Sequence, residues 1–414
     1  MKQLIIFIFI LIYAGANSQE ILKFKVESGN FDRIDCPVSF SLDQLNYNTD
    51  EGSLVLYELV KGQEISTPCQ LETGHSAILW FILSGKTEKG QKREFVLKRE
   101  KQASVSEKIN LVKDYRDLKL QKEGKQILNY RFGLTYPPDG VNPIFRRSGF
   151  IHPLASPGGE VLTRIQAPDH YHHYGIWGPW TETHINGRMV DFWNLIKGEG
   201  TVEFAGFISE VEGSTFSGFK ALQQHIDFGA KGRDQIAINE NLDVRAWNIQ
   251  DNKWMVDYTT TINCPLDSGI MLDAYRYGGG IGYRATEKWH KDNCTVLTSE
   301  GKTRADADGS NARWCLVEGE SAVAEGRSGI LFLSYPANRM HPEPMRIWPL
   351  DANGGRGDMY FEFCPIRHNE WKLEKGQDYS LKYRMIVFDG KMTTGEAEAY
   401  WQEFANPPKL VVLK

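Results

Sequence analysis

Cysteine is scarce in this 414-residue chain, and so are long apolar runs, net charge and amphipathic helical patterns. The six cysteines include no Cys-x-x-Cys spacing, which argues against a zinc knuckle. Six cysteines in so long a chain also do not make a disulfide scaffold. Two disulfides, Cys36 with Cys69 and Cys294 with Cys315, are an expectation that spacing alone leaves open.

The formal net charge is −5, and removing residues 1–18, whose one charged residue is Lys2, makes it −6. So mild a balance offers no basic face, and nucleic acid is not expected as a partner. The apolar run 4–13 is too short to span a membrane, and no later run is long enough. With Lys2 before it and small residues up to Ser18 after it, this run predicts a signal peptide over residues 1–18, and hence export.

Strand patterns dominate the first quarter of the chain. Residues 21–26 and 53–60 alternate between apolar and polar side chains, and turn residues separate such runs at the spacing of a sandwich. Residues 19–115 therefore predict a small N-terminal β-sandwich accessory module. We interpret it as structural, with carbohydrate binding as the alternative.

Longer alternating runs follow in residues 116–414, among them 201–207, 242–247 and 254–262. A convincing amphipathic helix is found only at 394–404, and no internal repeat is visible. Long strands at this density predict one large antiparallel sandwich as the catalytic domain. The expected fold class is all-β, a large supersandwich preceded by a small β-sandwich module.

Histidine is concentrated in one stretch. Residues 168–193 contain four of the ten histidines, His170, His172, His173 and His184. On an extended strand His170 and His172 point to one face and His173 to the other. Because imidazole serves both proton transfer and metal binding near neutral pH, the cluster predicts a functional site.

A metal site is one interpretation of this cluster. His170 and His172 on one strand face, with a distant His225 or His341, would supply three ligands and leave a fourth position open. We therefore expect no certain cofactor and keep a divalent metal as an open possibility, with no ligand assigned.

Several motifs resemble one bacterial family. The run Asp169-His-Tyr-His-His-Tyr-Gly-Ile-Trp, followed by Asn186-Gly and Asp191-Phe-Trp, is similar to a family labelled "methane oxygenase PmoA-like". Further matching blocks begin at Tyr277, Thr298 and Tyr335. The resemblance covers roughly residues 120–405. The label is misleading, because the chain has no membrane span and no strong copper or iron motif, and a monooxygenase is rejected.

The resemblance implies a secreted carbohydrate-processing protein of polysaccharide-degrading bacteria, with a mutarotase-like supersandwich. Within the family the chain resembles the oligosaccharide dehydratases of ulvan breakdown. Such a carbon–oxygen lyase removes water from the non-reducing-end uronic acid and leaves a 4,5-unsaturated uronate. The implied partner is an anionic oligosaccharide, and the expected location is the periplasm, otherwise the medium, because short oligosaccharides are met after import. The oligomeric state stays open.

A uronate dehydratase needs a base at C5, an acid at O4 and a positive group at the carboxylate. The candidate acids and bases are His170, His172, His173, Tyr275, Tyr283 and His341. The candidate substrate-binding residues, with arginine for the carboxylate and tryptophan for stacking on sugar, are Trp177, Trp180, Arg276, Arg284 and Arg339. The three glycines after Tyr277 are expected where backbone approaches a ligand closely.

Two other functions stay open. A sugar hydrolase would use two carboxylates flanking the scissile bond, and Glu182, Asp191 and Glu300 are available without forming an obvious pair. An epimerase acting on sugars is the other enzyme alternative. The remaining alternative is a non-catalytic oligosaccharide-binding protein that uses the tryptophans and arginines.

Overall fold

The structure, a computed structural model, describes residues 19–43, 52–101, 107–229, 232–250 and 252–413. The predicted signal peptide lies outside the described residues. Within these ranges no helix has both the length and the apolar character of a membrane span.

Strands make up most of the described chain. In chain order they are β1 (Gln19–Glu27), β2 (Arg33–Ser41), β3 (Ser53–Val60), β4 (Gln63–Thr67), β5 (Cys69–Glu72), β6 (Ile78–Thr87), β7 (Lys92–Glu100), β8 (Ile109–Lys113), β9 (Asp117–Lys122), β10 (Lys125–Arg131), β11 (Phe150–Leu154), β12 (Ile165–Ala167), β13 (His170–Tyr174), β14 (Ile176–Trp177), β15 (Thr183–Ile185), β16 (Arg188–Val190), β17 (Gly200–Val211), β18 (Phe216–Asp227), β19 (Gln235–Trp247), β20 (Lys253–Asn263), β21 (Ile270–Leu272), β22 (Ile281–Arg284), β23 (Cys294–Thr298), β24 (Asn311–Ala312), β25 (Trp314–Glu320), β26 (Arg327–Ser334), β27 (Glu343–Ile347), β28 (Tyr360–Phe363), β29 (Trp371–Leu373), β30 (Asp378–Asp389) and β31 (Lys409–Val412).

Two sheets form the N-terminal sandwich. A five-stranded sheet has the order β31-β1-β7-β3-β4, and a three-stranded sheet has the order β2-β6-β5. Every second residue of β1 is buried, among them Phe24, whose ring lies 5.9 Å from Phe81 of the other sheet. The period-two pattern therefore buries one face of each sheet against the other.

The larger sandwich also has two sheets, both antiparallel. The nine-stranded sheet runs β24-β27-β28-β22-β14-β11-β10-β9-β8, and the eight-stranded sheet runs β17-β18-β19-β20-β30-β26-β25-β23. Val256 and Tyr258 of β20 lie in the core between these sheets, whereas Met255 points to the outer face. The expected all-β class, with a large sandwich after a small one, is confirmed.

Contacts join the two sandwiches. The Trp80 ring of β6 lies 5.3 Å from that of Trp247 on β19, and Arg245 forms a 2.8 Å ion pair with Glu72. The last strand, β31, returns to pair with β1, and β8 already belongs to the nine-stranded sheet. The predicted domain boundary near residue 115 stays an interpretation.

One α-helix is present among the described residues, α1 (Thr394–Ala405), close to the predicted 394–404. Thr393 and Glu396 form a capping box, in which each side chain bonds the other residue's backbone N–H. Tyr400 and Trp401 pack against the outer face of the eight-stranded sheet. Within the described ranges two short 3₁₀ helices, Pro143–Phe145 and Leu195–Lys197, lie in connections.

The two expected disulfides are wrong, because all six cysteines carry free thiols. Cys294 and Cys315 do lie on paired strands, but Cys294 is opposite Gly319 and Cys315 is opposite Thr298. Strand register, which spacing does not reveal, keeps these two sulfurs apart. Burial raises the pKa of the Cys294 thiol to about 12.

Candidate active site

An open cleft of about 230 Å³ collects the chemically active side chains. They come from β13, from the segment 181–197, from the loop before β22 and from the end of β27. The lining residues are His170, His172, His173, Thr181, Glu182, Asp191, Trp193, Asn194, Lys197, Tyr275, Arg276, Tyr277 and Trp348.

The three histidines of β13 converge on this cleft. Their ring centroids are 4.8 Å apart for His170 and His173, 5.0 Å for His172 and His173, and 5.4 Å for His170 and His172. The expectation that His173 points to the opposite face is wrong. Ile165 of β12 pairs with Tyr174 of β13, and Ala167 pairs with His170, so β13 uses four residues where β12 uses two. The extra residues form a bulge in β13, and a bulge interrupts the alternation of side chains between the two faces.

His170 is oriented by a carboxylate. Its Nδ1 lies 2.8 Å from Oδ2 of Asp169, and because a carboxylate only accepts, Nδ1 donates the hydrogen in this contact. Asp169 in turn accepts from Arg284 Nη2 at 2.8 Å, and the same nitrogen donates to Asp358 at 2.7 Å. Burial opposes ionisation of Asp169, but His170 and Arg284 outweigh it and hold the pKa of this carboxyl well below its usual range.

The other two imidazoles are neutral near pH 7. Burial lowers the pKa of His172 to about 4, with a smaller contribution from neighbouring His170. Burial and the Arg284 guanidinium also lower the pKa of His173 far below its usual value. One ring nitrogen of each of His170, His172 and His173 lies within 4.8 Å of the other two, so these residues are also the ones that could hold a metal ion.

Aromatic rings form one wall of the cleft. Trp193 donates from Nε1 to the main-chain carbonyl of His172 at 2.9 Å, which ties the 181–197 segment to β13. Tyr277 lies beside it, with ring centroids 5.1 Å apart. The hydroxyl oxygen of Tyr277 accepts from Arg346 Nη2 and from Trp348 Nε1, each at 3.1 Å.

A lysine and two carboxylates line another part of the cleft. Lys197 Nζ lies 2.9 Å from Asp191 and 3.8 Å from Glu182. Asp191 also accepts from the backbone N–H groups of Trp193 and Asn194, at 2.9 and 2.8 Å. Asp191 therefore shapes the loop that carries Trp193 and Lys197.

The glycines after Tyr277 meet protein rather than an open ligand space. A Cβ on Gly279 would lie 2.1 Å from the carbonyl oxygen of Phe363, and one on Gly280 would lie 2.7 Å from Leu381. Glycine is required at both positions because a Cβ would overlap these neighbouring atoms. The expected close approach to a ligand is thus corrected to a close approach to β28 and β30.

Five of the predicted site residues line the cleft. They are His170, His172, His173, Tyr275 and Arg276. Arg276 is exposed, and Tyr275 is half-buried with its ring 5.8 Å from that of Tyr277.

Two predicted acids or bases lie elsewhere. Tyr283 is fully buried in the core between the large sheets, where its hydroxyl donates to the Leu162 carbonyl at 2.7 Å. His341 stacks on Trp401 with a ring separation of 6.0 Å, and its Nδ1 lies 3.1 Å from Ser334 Oγ. Their assignment to catalysis is corrected, because neither lines the cleft.

The predicted stacking residues are buried instead. Trp177 lies behind His173 with ring centroids 5.4 Å apart, and Trp180 packs in the main core against Trp371. Both are at most 1% exposed, so neither can stack on a sugar. The tryptophans that line the cleft are Trp193 and Trp348, of which only 5% and 4% are exposed.

The other two predicted arginines bind protein groups. Arg284 is 1% exposed and holds Asp169 and Asp358, so it orients His170 rather than contacting substrate. Arg339 donates to the Glu370 carbonyl at 2.8 Å and lies outside the cleft.

The alternative metal set is also corrected. His225 is buried in the core and its Nε2 lies 2.8 Å from Glu240, so it does not reach His170 or His172. The histidine whose ring nitrogen does lie near those of His170 and His172 is His173.

Four residues that line the cleft had no role predicted from the sequence: Tyr277, Trp193, Trp348 and Lys197. Tyr277 had one available signal, its position directly before three glycines. Lys197 and Trp348 had none, because their sequence neighbours carry no motif of this chemistry and only folding brings them to the cleft.

Two solved structures are similar to this chain at low identity. An alpha-mannosidase from Enterococcus faecalis V583 has a TM-score of 0.47 and 8% identity, over 95% of this chain and 46% of that one. Galactose 1-epimerase from Lactobacillus acidophilus NCFM has a TM-score of 0.34 and 10% identity, over 69% of this chain and all of that one.

A curated relative matches a short segment. Endoplasmic reticulum oxidoreductin-2 from Arabidopsis thaliana is 31% identical over 93 residues, which are 21% of this chain and 20% of that protein. The chain thus spans about a fifth of this relative and less than half of the mannosidase.

A family model matches most of the larger sandwich. Its description is "Family of unknown function (DUF6807)", and it covers residues 117–402, which include every residue that lines the cleft. The resemblance to the PmoA-like family stays a prediction. The chain belongs to the DUF6807 family.

Proposed function

We propose that this protein is a carbohydrate lyase that removes water from the non-reducing-end uronic acid of ulvan-type oligosaccharides, after export to the periplasm. The observation that carries the proposal is a tyrosine hydroxyl held by two donors in an open cleft that also contains cationic and imidazole groups. Elimination removes the C5 proton, forms the C4–C5 double bond and releases the O4 hydroxyl as water.

Tyr277 is assigned the removal of the C5 proton, a step in which its phenolate takes the proton and becomes the phenol. The guanidinium of Arg346 and the indole N–H of Trp348 both point at its oxygen, so negative charge on that oxygen is stabilised in place. Arg346 is itself held by Asp308 at 2.8 Å, which keeps the donor aimed. Tyr275, whose ring is 5.8 Å from that of Tyr277, is assigned the protonation of the leaving O4.

Positive charge in the cleft suits an anionic sugar. Arg276 is exposed at the cleft, where its planar guanidinium can bind a carboxylate with two parallel hydrogen bonds. Lys197 is a second cation, but Asp191 and Glu182 offset its charge, so Arg276 is the group assigned to the substrate carboxylate. The rings of Trp193 and Trp348 are almost wholly buried in the cleft wall, so they position Tyr277 rather than stack on the sugar.

The carboxylates do not favour a hydrolase. Glu182 and Asp191 both bind Lys197, so they do not stand free on two sides of an open space. Glu300 pairs with Arg313 at 3.8 Å and is not part of the cleft.

The test incubates the purified protein with short uronate-terminated oligosaccharides and follows ultraviolet absorbance together with mass spectrometry. The expected result is rising absorbance with loss of one water and no shortening. Tyr277→Phe is expected to lower the rate by about 10²- to 10⁴-fold, the usual contribution of a general base. The matched control is Tyr136→Phe, at an exposed position outside the cleft, and it should leave the rate unchanged.

Other outcomes assign other functions. Absorbance that rises with chain shortening means eliminative chain cleavage, and shortening without absorbance means hydrolysis. Binding with no product for any substrate means a non-catalytic binding protein. Each of these results overturns the dehydratase.

A further inference from the structure

We propose that His170, His172 and His173 bind one divalent first-row transition-metal ion, of which zinc is the type. One ring nitrogen from each of the three lies within 4.8 Å of the other two. Three imidazoles with no thiolate suit zinc and its neighbours in the first row, and three protein ligands leave one position for a further group.

His173 is the first observation that points to a ligand. Its side chain is fully buried, and neither Nδ1 nor Nε2 has a hydrogen-bond partner among the described residues. Its ring lies among those of Trp177, Trp193 and Tyr360, at 5.4, 5.5 and 5.2 Å. A buried polar atom left unpaired costs about 1–3 kcal/mol, and a bound ion gives one of these nitrogens a partner.

The orientation of His170 is the second observation. Asp169 accepts the Nδ1 hydrogen, which leaves Nε2 as the ring nitrogen that can bind an ion. Asp169 is fixed by buried Arg284, and Arg284 is fixed by buried Asp358. A carboxylate behind a ligating imidazole is the arrangement by which proteins hold histidine ligands in place.

The geometry requires a small closure. Nitrogens bound at about 2.1 Å around a tetrahedral ion lie about 3.4 Å from one another, so binding draws the most distant pair together by about 1.4 Å. His173 is enclosed and His170 is held by Asp169, so half-buried His172 is the ligand that moves most on closure. The three histidines line the same cleft as Arg276, so the ion and Arg276 together would attract an anionic ligand such as a carboxylate.

The test measures metal binding without any substrate, so its result does not depend on whether the protein is a dehydratase. Chelator-treated protein is loaded with Zn²⁺ or Co²⁺, and bound metal is measured by elemental analysis and by the visible absorption of Co²⁺. We expect about one ion per chain, with the Co²⁺ spectrum of a site containing nitrogen ligands. His170→Ala and His173→Ala should each weaken binding by at least about 100-fold, and Asp169→Asn by about 10- to 100-fold.

His184→Ala is the matched control, because His184 lies on β15 in the same stretch and pairs with Asp273 at 2.6 Å. It should keep full binding. If His173→Ala does not fold, as judged by circular dichroism, His170→Ala at its half-buried position decides the result. Less than about half an ion per chain, or binding that survives in folded His170→Ala, overturns the proposal.

Discussion

Glu362 should make the stability of this protein fall as the pH rises. It lies on β28 directly behind the site, is fully buried, and accepts from the Gly278 N–H at 2.6 Å and from the Tyr360 hydroxyl at 2.7 Å. Burial raises its pKa from 4.5 to about 8, against the opposing effect of those hydrogen bonds. At neutral pH the folded protein therefore keeps a proton that the unfolded chain releases.

The magnitude follows from linkage. Below pH 4.5 both states hold the proton and this residue contributes no pH dependence. Between 4.5 and the folded pKa, the folded state binds more protons, so the free energy of unfolding falls by about 1.4 kcal/mol per pH unit. From about pH 5 to about pH 8 the loss is roughly 4 kcal/mol, and above the folded pKa it stops growing.

Glu362→Gln removes the titration and keeps an oxygen to accept from the Gly278 N–H. Urea unfolding of wild type and variant across this pH range should show their free-energy difference moving by roughly 4 kcal/mol in favour of the variant. Glu374→Gln, at an exposed position, is the control and should run parallel to wild type. A Glu362→Gln difference that stays constant within about 1 kcal/mol would refute the argument from burial.

Three further predictions concern the loops and the helix. Asp191→Ala removes the acceptor of two backbone N–H groups and leaves Lys197 with only its 3.8 Å contact to Glu182, so we expect about 3 kcal/mol lower stability in chemical denaturation, and a loss below about 1 kcal/mol would contradict this role. Gly279→Ala forces the Tyr277 loop off β28 and should lower kcat/KM at least about tenfold, whereas Gly74→Ala, with open space around it, should not. Thr393→Ala removes the α1 cap at a cost of about 1 kcal/mol, seen in thermal denaturation, and Thr393→Ser should restore it.

Local patterns were sufficient for much of the fold. The predicted run 53–60 coincides with β3, 254–262 lies within β20, and the one predicted helix is α1. These predictions succeeded because both patterns lie within a short stretch of sequence. A strand with one buried face needs alternating side chains, and a surface helix needs a cap and an apolar stripe.

The candidate site was predicted in part. The concentration of histidine in 168–193 identified the three imidazoles, but simple alternation sent His173 to the wrong face because the bulge in β13 could not be seen. Tyr283 and Trp180 failed for a related reason. Residue type does not say whether an aromatic side chain faces the core or a cleft, and here both side chains are buried in the core.

By itself the sequence determined the all-β class, the two successive sandwiches and the segment that carries the histidines, because each depends on spacing along the chain. Only the tertiary structure decided that His173 joins His170 and His172, that Tyr277 receives two donors, and that Lys197 reaches the same cleft. Those contacts join strands and loops far apart in the chain, and their positions depend on register, bulges and packing that no short pattern encodes.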